Sequence, residues 1–247
     1  MNWLQRHWDA RAAANFMLGG TGSGLLICGL AVSASHETLV LTSLTLIAAG
    51  LGAVWLEIGR KLRAVNVFFN PFTSWMTRES FAAVLVFLFG LSFLFLAQEI
   101  LFYGTALAAA AFLWCQARIL RASKGIPAWR APETVPLIVF TGLAEGAGLG
   151  LLFSSAEAML ALFALAVVAR FFAWRRHPAA ARSKALVWSG TLAPLALAVA
   201  GSLFSFLIPL AGLAAVATGW WLKFALITRA SFNQGFSLPH LPVRGAR

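Results

Sequence analysis

Lys and Arg residues interrupt this chain only at every second junction between long apolar stretches. One set of junctions carries Arg60, Lys61, Arg63, Arg78, Arg118, Arg121, Lys124, Arg130, Arg170, Arg175, Arg176, Arg182 and Lys184. The terminal regions add Arg6, Arg11, Lys223, Arg229, Arg244 and Arg247, which completes the nineteen. The alternate junctions, near His36, Gln98, Ser155 and Pro209, contain no Lys or Arg. Translocating basic residues is disfavoured, so they accumulate on the cytoplasmic side of a membrane. The alternation predicts a multi-pass protein of a bacterial cytoplasmic (inner) membrane. Both termini and every basic loop should face the cytoplasm.

The rest of the chain agrees with lipid as its solvent. It is 60% hydrophobic and 11% charged, against about 25% charged in soluble domains. A span needs about 20 mostly apolar residues. Eight fit, at 12–34, 38–58, 79–98, 100–119, 135–153, 156–174, 185–206 and 208–229. They use nearly all of the 247 residues, so residues 1–247 read as a single transmembrane domain. In lipid the backbone must satisfy itself, which leaves helices or closed barrels. The runs are too continuous for barrel strands, which alternate. The expected fold is an all-α eight-helix bundle. A single helix over 185–229 would be about 67 Å long at 1.5 Å per residue, roughly twice the hydrocarbon core. Pro209 is the expected break. Val32-Ser33-Ala34 resembles a cleavage site, but the stretch before it is long and interrupted by GGTGSG. It reads as a retained first span.

Several chemistries are excluded. The net charge of +11 fits membrane lipids, through anionic headgroups, or an acidic partner; it does not call for nucleic acid. Cys28 and Cys115 lie in apolar segments and no CxxC occurs, so the chain should hold no zinc and no iron–sulfur cluster. His7, His36, His177 and His240 lie outside the depths of the spans. A membrane haem needs axial ligands from helices, so no haem is expected.

Three features could carry chemistry. Glu145 sits mid-span in LAEGAGLG, where a carboxylate is costly unless protonated or paired. It reads either as a neutral partner in a helix–helix hydrogen bond, with Gly142, Gly146 and Gly148 permitting close packing, or as a proton relay or ligand. Glu57 closes the second span and Glu79 opens the third, beside Arg60, Arg63 and Arg78. These read as interfacial ion pairs or as a polar pocket whose carboxylates exchange protons with a ligand carbonyl. GGTGSG at 19–24, with Gly20 in it and Asn15 before it, lies in the first span. It allows close approach of a helix or of a flat ligand, and with no strand around it, it is no dinucleotide fingerprint. The long basic loops 59–78 and 120–134 mix Arg, aromatics and Pro, as interfacial anchors or a docking platform would.

The stretch EIGRKLRAVNVFFNPFTSWMTRES resembles the hinge between the second and third helices in membrane subunits of the dimethyl sulfoxide reductase and polysulfide reductase type. There, H-L-G-x-P-x-R-A precedes aromatics, Ser-Trp and an acid. Here Glu57 stands at the His, Gly59 at the Gly, Lys61 at the Pro and Arg63-Ala64 at the Arg-Ala. Ser74-Trp75 and Arg78-Glu79 match the second half. The first-helix glycines and IPAW at 126–129, similar to a Pro-x-Trp element of that family, add to it; the resemblance covers roughly the first 130 residues.

The resemblance implies a quinone-reactive anchor without its own metal centre. Its cofactor would be ubiquinone or menaquinone. Its partners would be a four-cluster iron–sulfur subunit and a molybdopterin or tungstopterin catalytic subunit. The quinone would be held by Asn15, Gly20, Glu57, Arg60, Arg63, Trp75, Arg78 and Glu79, with Glu57, Glu79 and Glu145 as the proton-carrying candidates. Glu for His at position 57 alters the site's proton chemistry. SKGIPAWR also looks like the anchor of phenylacetyl-CoA:acceptor oxidoreductases, which implies a cytoplasmic acyl-CoA as the substrate of the complex. A small-solute or proton transporter would account for Glu145 and the glycines but not for the basic aromatic loops. A purely structural anchor is the third reading.

Overall fold

A computed structural model describes residues 4, 5, 8–31, 36–58 and 60–233. Arg6, His7, the cleavage-like Val32-Ser33-Ala34, Gly59 of the hinge motif, His240, Arg244 and Arg247 lie outside them. The chain is 83% helical, with no strand among the described residues, as an all-α membrane protein requires. Six helices are long and apolar enough to cross a membrane: α1 (Ala10–Ala31), α2 (His36–Glu57), α3 (Trp75–Leu96), α4 (Glu99–Ala122), α6 (Glu157–Arg176) and α8 (Leu207–Arg229). Two more, α5 (Thr134–Gly150) and α7 (Lys184–Ala200), are apolar but shorter, at 17 residues each.

The expected helices thus form close to the expected positions, and two of them stop early. α5 ends in the turn Leu151–Phe153, and α7 ends in the turn Gly201–Leu203. The break before α8 differs from expectation. Pro209 does not make the turn; it sits in the first turn of α8, while the chain reverses at 201–206. A proline is tolerated there because the first N–H groups of a helix have no intrahelical acceptor.

Local signals set the ends. The Asp9 carboxylate accepts from Arg11 N–H at 2.7 Å and caps α1. Ser74 Oγ accepts from Thr77 N–H and caps α3. At the other end of α3, Ala97 adopts φ 50° and its N–H closes onto Phe93 O at 2.8 Å, which turns the chain directly into α4.

Burial sorts the helices. In α1, 72% of the apolar window is buried, against 33% in α2 and in α3. α1 is therefore the central post. On its one side Leu25, Ile47, Val86, Phe102 and Phe112 pack α1 with α2, α3 and α4. On the other, Ala147, Met159, Phe163 and Ala211 join α5, α6 and α8. Large apolar side chains such as Phe95, Leu107, Leu165 and Val199 point outward. In water they would be a liability; in a bilayer they are the solvated surface. α1 and α5 meet backbone to backbone: a Cβ at Gly24 would overlap the Gly142 main chain and one at Gly146 the Gly24 main chain, while one at Gly142 would meet Leu113 of α4. That close packing is what the glycines of LAEGAGLG were expected to permit.

Trp129 explains the IPAW element structurally. It is buried in the short helix Pro127–Arg130, donates its Nε1–H to Leu226 O at 2.9 Å, and packs on Trp8 at 5.0 Å between ring centroids. The 120–134 loop is thereby fastened to the end of α8.

Candidate functional site

Two adjoining cavities share Asn15, Val54, Ile58, Val67, Met76 and Glu79 as walls. The inner one, of about 310 Å3, adds Trp8 and Glu57. The outer one, of about 530 Å3, adds Leu51, Trp55, Val65, Phe68 and Phe87. Trp55, Val65 and Val84 on the outer cavity are exposed, so it opens sideways on the apolar flank of the bundle. Together they form an apolar passage with a few polar groups at its inner end, the usual build of a ligand site.

Each polar group is placed by a helix end. The N-terminus of α3 presents Glu79, which is buried. Asn15, on α1, donates its Nδ2–H to Glu79 Oε1 at 3.1 Å. Gln116, buried in α4, donates to the backbone oxygen of Asn15 at 3.0 Å. Asn15 Oδ1 is buried without a hydrogen-bond partner. That oxygen lies in the close contact of α1 with α2, where a Cβ at Gly50 would come within 3.2 Å of it. Half-buried Glu57 closes α2 at the rim of the inner cavity.

The cavity wall is held from α3. Thr77 Oγ1 donates to Val67 O at 2.5 Å, and Arg78 donates to Pro71 O and Phe72 O at 2.9 and 2.6 Å. These bonds pin the 3-10 segment Lys61–Phe69 across the passage.

Of the sequence candidates, Asn15, Glu57 and Glu79 come together in this way. Arg60 and Arg63 are exposed and line neither cavity. Arg78 is occupied by the hinge carbonyls and lies over the Trp75 ring at 4.2 Å, with Arg118 at 4.6 Å from the same ring. Trp75 is the platform for two guanidinium groups and also lies outside the cavities. Two basic residues reach the end of α2: Lys61 lies over the Trp55 ring at 4.5 Å, and Arg11 donates to Leu56 O at 3.4 Å. The latter was legible as Asp9-x-Arg11 just before the first span.

Glu145 belongs elsewhere. It is fully buried in α5, 2.6 Å from Lys223 Nζ of α8 and 2.8 Å from Thr21 Oγ1 of α1. Thr21 Oγ1 also accepts from Trp220 Nε1 at 2.9 Å. Gly20 faces Lys223: a Cβ at Gly20 would fall on the Lys223 ammonium. Gly20 therefore makes room for a lysine rather than for a ligand of the cavities. Arg170, buried in α6, donates to Ala215 O at 3.0 Å and to Gly190 O.

Lys223 and Arg170 correct the sequence reading. Both were counted with the basic boundary, yet both lie inside the bundle with no exposed surface. A buried cation is stable there only when paired or hydrogen-bonded, and the structure supplies such partners. Gln116, Thr21, Arg170 and Lys223 were missed as interior residues. The available signal was simply a polar residue inside an apolar run.

No family model matches the chain, and no curated protein matches it.

Proposed function

We propose that this chain is the quinone-reactive membrane subunit of a multi-subunit oxidoreductase. The observation that carries the reading is buried Glu79 at the junction of the two cavities, hydrogen-bonded to Asn15. The passage fits a flat head group with an apolar tail. Its polar end offers an amide and a carboxyl group, while its open end faces lipid. A quinone supplies two-electron, two-proton chemistry when bound. Asn15 and Glu79 would hold the head group, Glu57 would exchange protons at the rim, and Val65, Phe68 and Phe87 would line the tail. The hinge motif quoted above supports the same assignment.

In this reading eight helices span a bacterial inner membrane, with α5 and α7 as short spans and both termini cytoplasmic. The iron–sulfur subunit docks on the basic face of loops 59–78, 120–134 and 175–184, and wires a molybdopterin or tungstopterin subunit. A cytoplasmic acyl-CoA such as phenylacetyl-CoA suits that face. A transporter reading finds less support. Glu145 lines neither cavity of the passage and is engaged by Lys223.

Two experiments test the arrangement. A periplasm-active reporter fused after residue 247 should be silent, because the basic residues other than the interior Arg170 and Lys223 all fall at one set of junctions or in the terminal regions and hold that end inside; strong activity overturns the orientation. Arg60→Glu with Lys61→Glu should release the iron–sulfur subunit on purification. Like charges repel across such contacts. Intact co-purification would assign those residues to lipid alone.

A further inference from the structure

The loop between α6 and α7 also shapes a site unrelated to the quinone passage. Pro178–Arg182 forms a short 3-10 helix, and its start is fixed by buried His177. His177 Nδ1 accepts from Ala179 N–H at 3.2 Å, and its Nε2 lies 3.1 Å from Thr134 Oγ1. Burial lowers its pKa, so the ring is neutral and fully used. Beside it a cavity of about 440 Å3 runs between the end of α6 and the start of α7. Its rim carries Arg175 and Lys184, and its wall is Phe171, Val187 and Trp188.

Three observations define what fits. Arg175 and Lys184 are exposed, and no hydrogen bond or ion pair with a described residue engages either. The wall below them is apolar, and both Phe172 and Trp188 face outward, half exposed. Phe171 and Trp188 pack across the seam at 5.0 Å between centroids. Buried Arg170 ties α6 to Gly190 O of α7. The site is thus cationic at the membrane boundary and apolar just below it. Residues 234–247 of the chain itself are poor occupants, since they carry Arg244 and Arg247 and no Asp or Glu.

We propose that this seam binds one anionic phospholipid, with its phosphate on Arg175 and Lys184 and an acyl chain along Phe171, Val187 and Trp188. A basic pocket between helices, beside a Trp at headgroup level, is the chemistry that selects such lipids over zwitterionic ones. The assignment is independent of the quinone reading. It assigns Arg175 and Lys184 to lipid, so the partner face proposed above narrows to loops 59–78 and 120–134.

The test is native mass spectrometry of the purified chain, with any partners still bound, during titration with phosphatidylglycerol, with phosphatidylcholine of the same chains, and with inorganic phosphate. One phosphatidylglycerol should be retained in preference to phosphatidylcholine. Arg175→Gln with Lys184→Gln should weaken it roughly thirtyfold, at about one kcal/mol for each basic residue near a lipid surface. Equal retention of the two lipids, or unchanged retention by the variant, overturns the proposal. Competition by inorganic phosphate at equal concentration does so too, because it marks a free-phosphate site. Should the variant fail to assemble, phosphatidylglycerol with a photoreactive acyl chain must label residues 171–188 of the unaltered protein; labelling only elsewhere sinks the assignment.

Discussion

On the proposed quinone reading, Glu79→Gln should lower quinone-coupled turnover by roughly a hundredfold or more, the usual contribution of a positioned proton donor, and leave electron transfer to a soluble dye unchanged. In the proposed complex the dye would take electrons upstream, and so would report assembly and cluster content rather than the membrane site. The substitution keeps the shape of the side chain and keeps a group for the Asn15 amide to bond. What it removes is the titrating oxygen at the inner end of the passage. Glu57→Gln should have a smaller effect in the same direction, because Glu57 sits at the half-exposed rim where water can substitute for it. Quinone-coupled turnover at the unaltered rate in both variants would remove these carboxylates from the site and overturn the assignment of the passage.

Lys223→Met destabilises the bundle by about 3–5 kcal/mol, the cost of leaving one member of a buried pair alone. Lys223 and Glu145 have no exposed surface, and their contact at 2.6 Å joins α8 to α5. Through Thr21 the same carboxylate reaches α1. Removing the ammonium leaves a carboxylate that must be protonated or stay charged out of water. Glu145→Gln combined with Lys223→Met should recover most of the loss, since an uncharged pair of similar size needs no compensation. Unfolding in a denaturing detergent measures both. A single variant as stable as the parent, with no gain in the double, would show that the pair does not hold the helices together.

Much of this architecture can be read directly from the residues. The expected span ends fall within a few residues of the helix ends, except that α7 stops at Ala200 rather than at 206; length and hydropathy decide what a bilayer accepts, but not where a short helix turns. Gly142 and Gly146 read correctly as close-packing positions because only a missing side chain lets two backbones meet. The lateral assignments were less accessible. Sequence proximity grouped Arg60, Arg63 and Arg78 with Glu57 and Glu79, but the 3-10 hinge turns the first two outward and commits the third to carbonyls. The pairing of Lys223 with Glu145 spans 78 positions of sequence. A positive-inside count treats every basic residue as a boundary marker, and it has no means of recognising one that turns into the bundle.

The first helix carries a further consequence. Residues Asn15–Gly19 wind as a π-helix between α-helical turns. Such a stretch accommodates an extra residue, which changes the phase of everything beyond it. In α1, Asn15 looks at Glu79 of α3 while Thr21 looks at Glu145 of α5. Deleting one residue from this stretch would restore a regular helix and rotate one set against the other by about 100°. The spacing between the two polar clusters is therefore written in chain length as much as in residue type. A conservative exchange at the partly buried Met17 or Leu18 keeps that spacing, whereas a gap there would uncouple the two halves of the bundle at once.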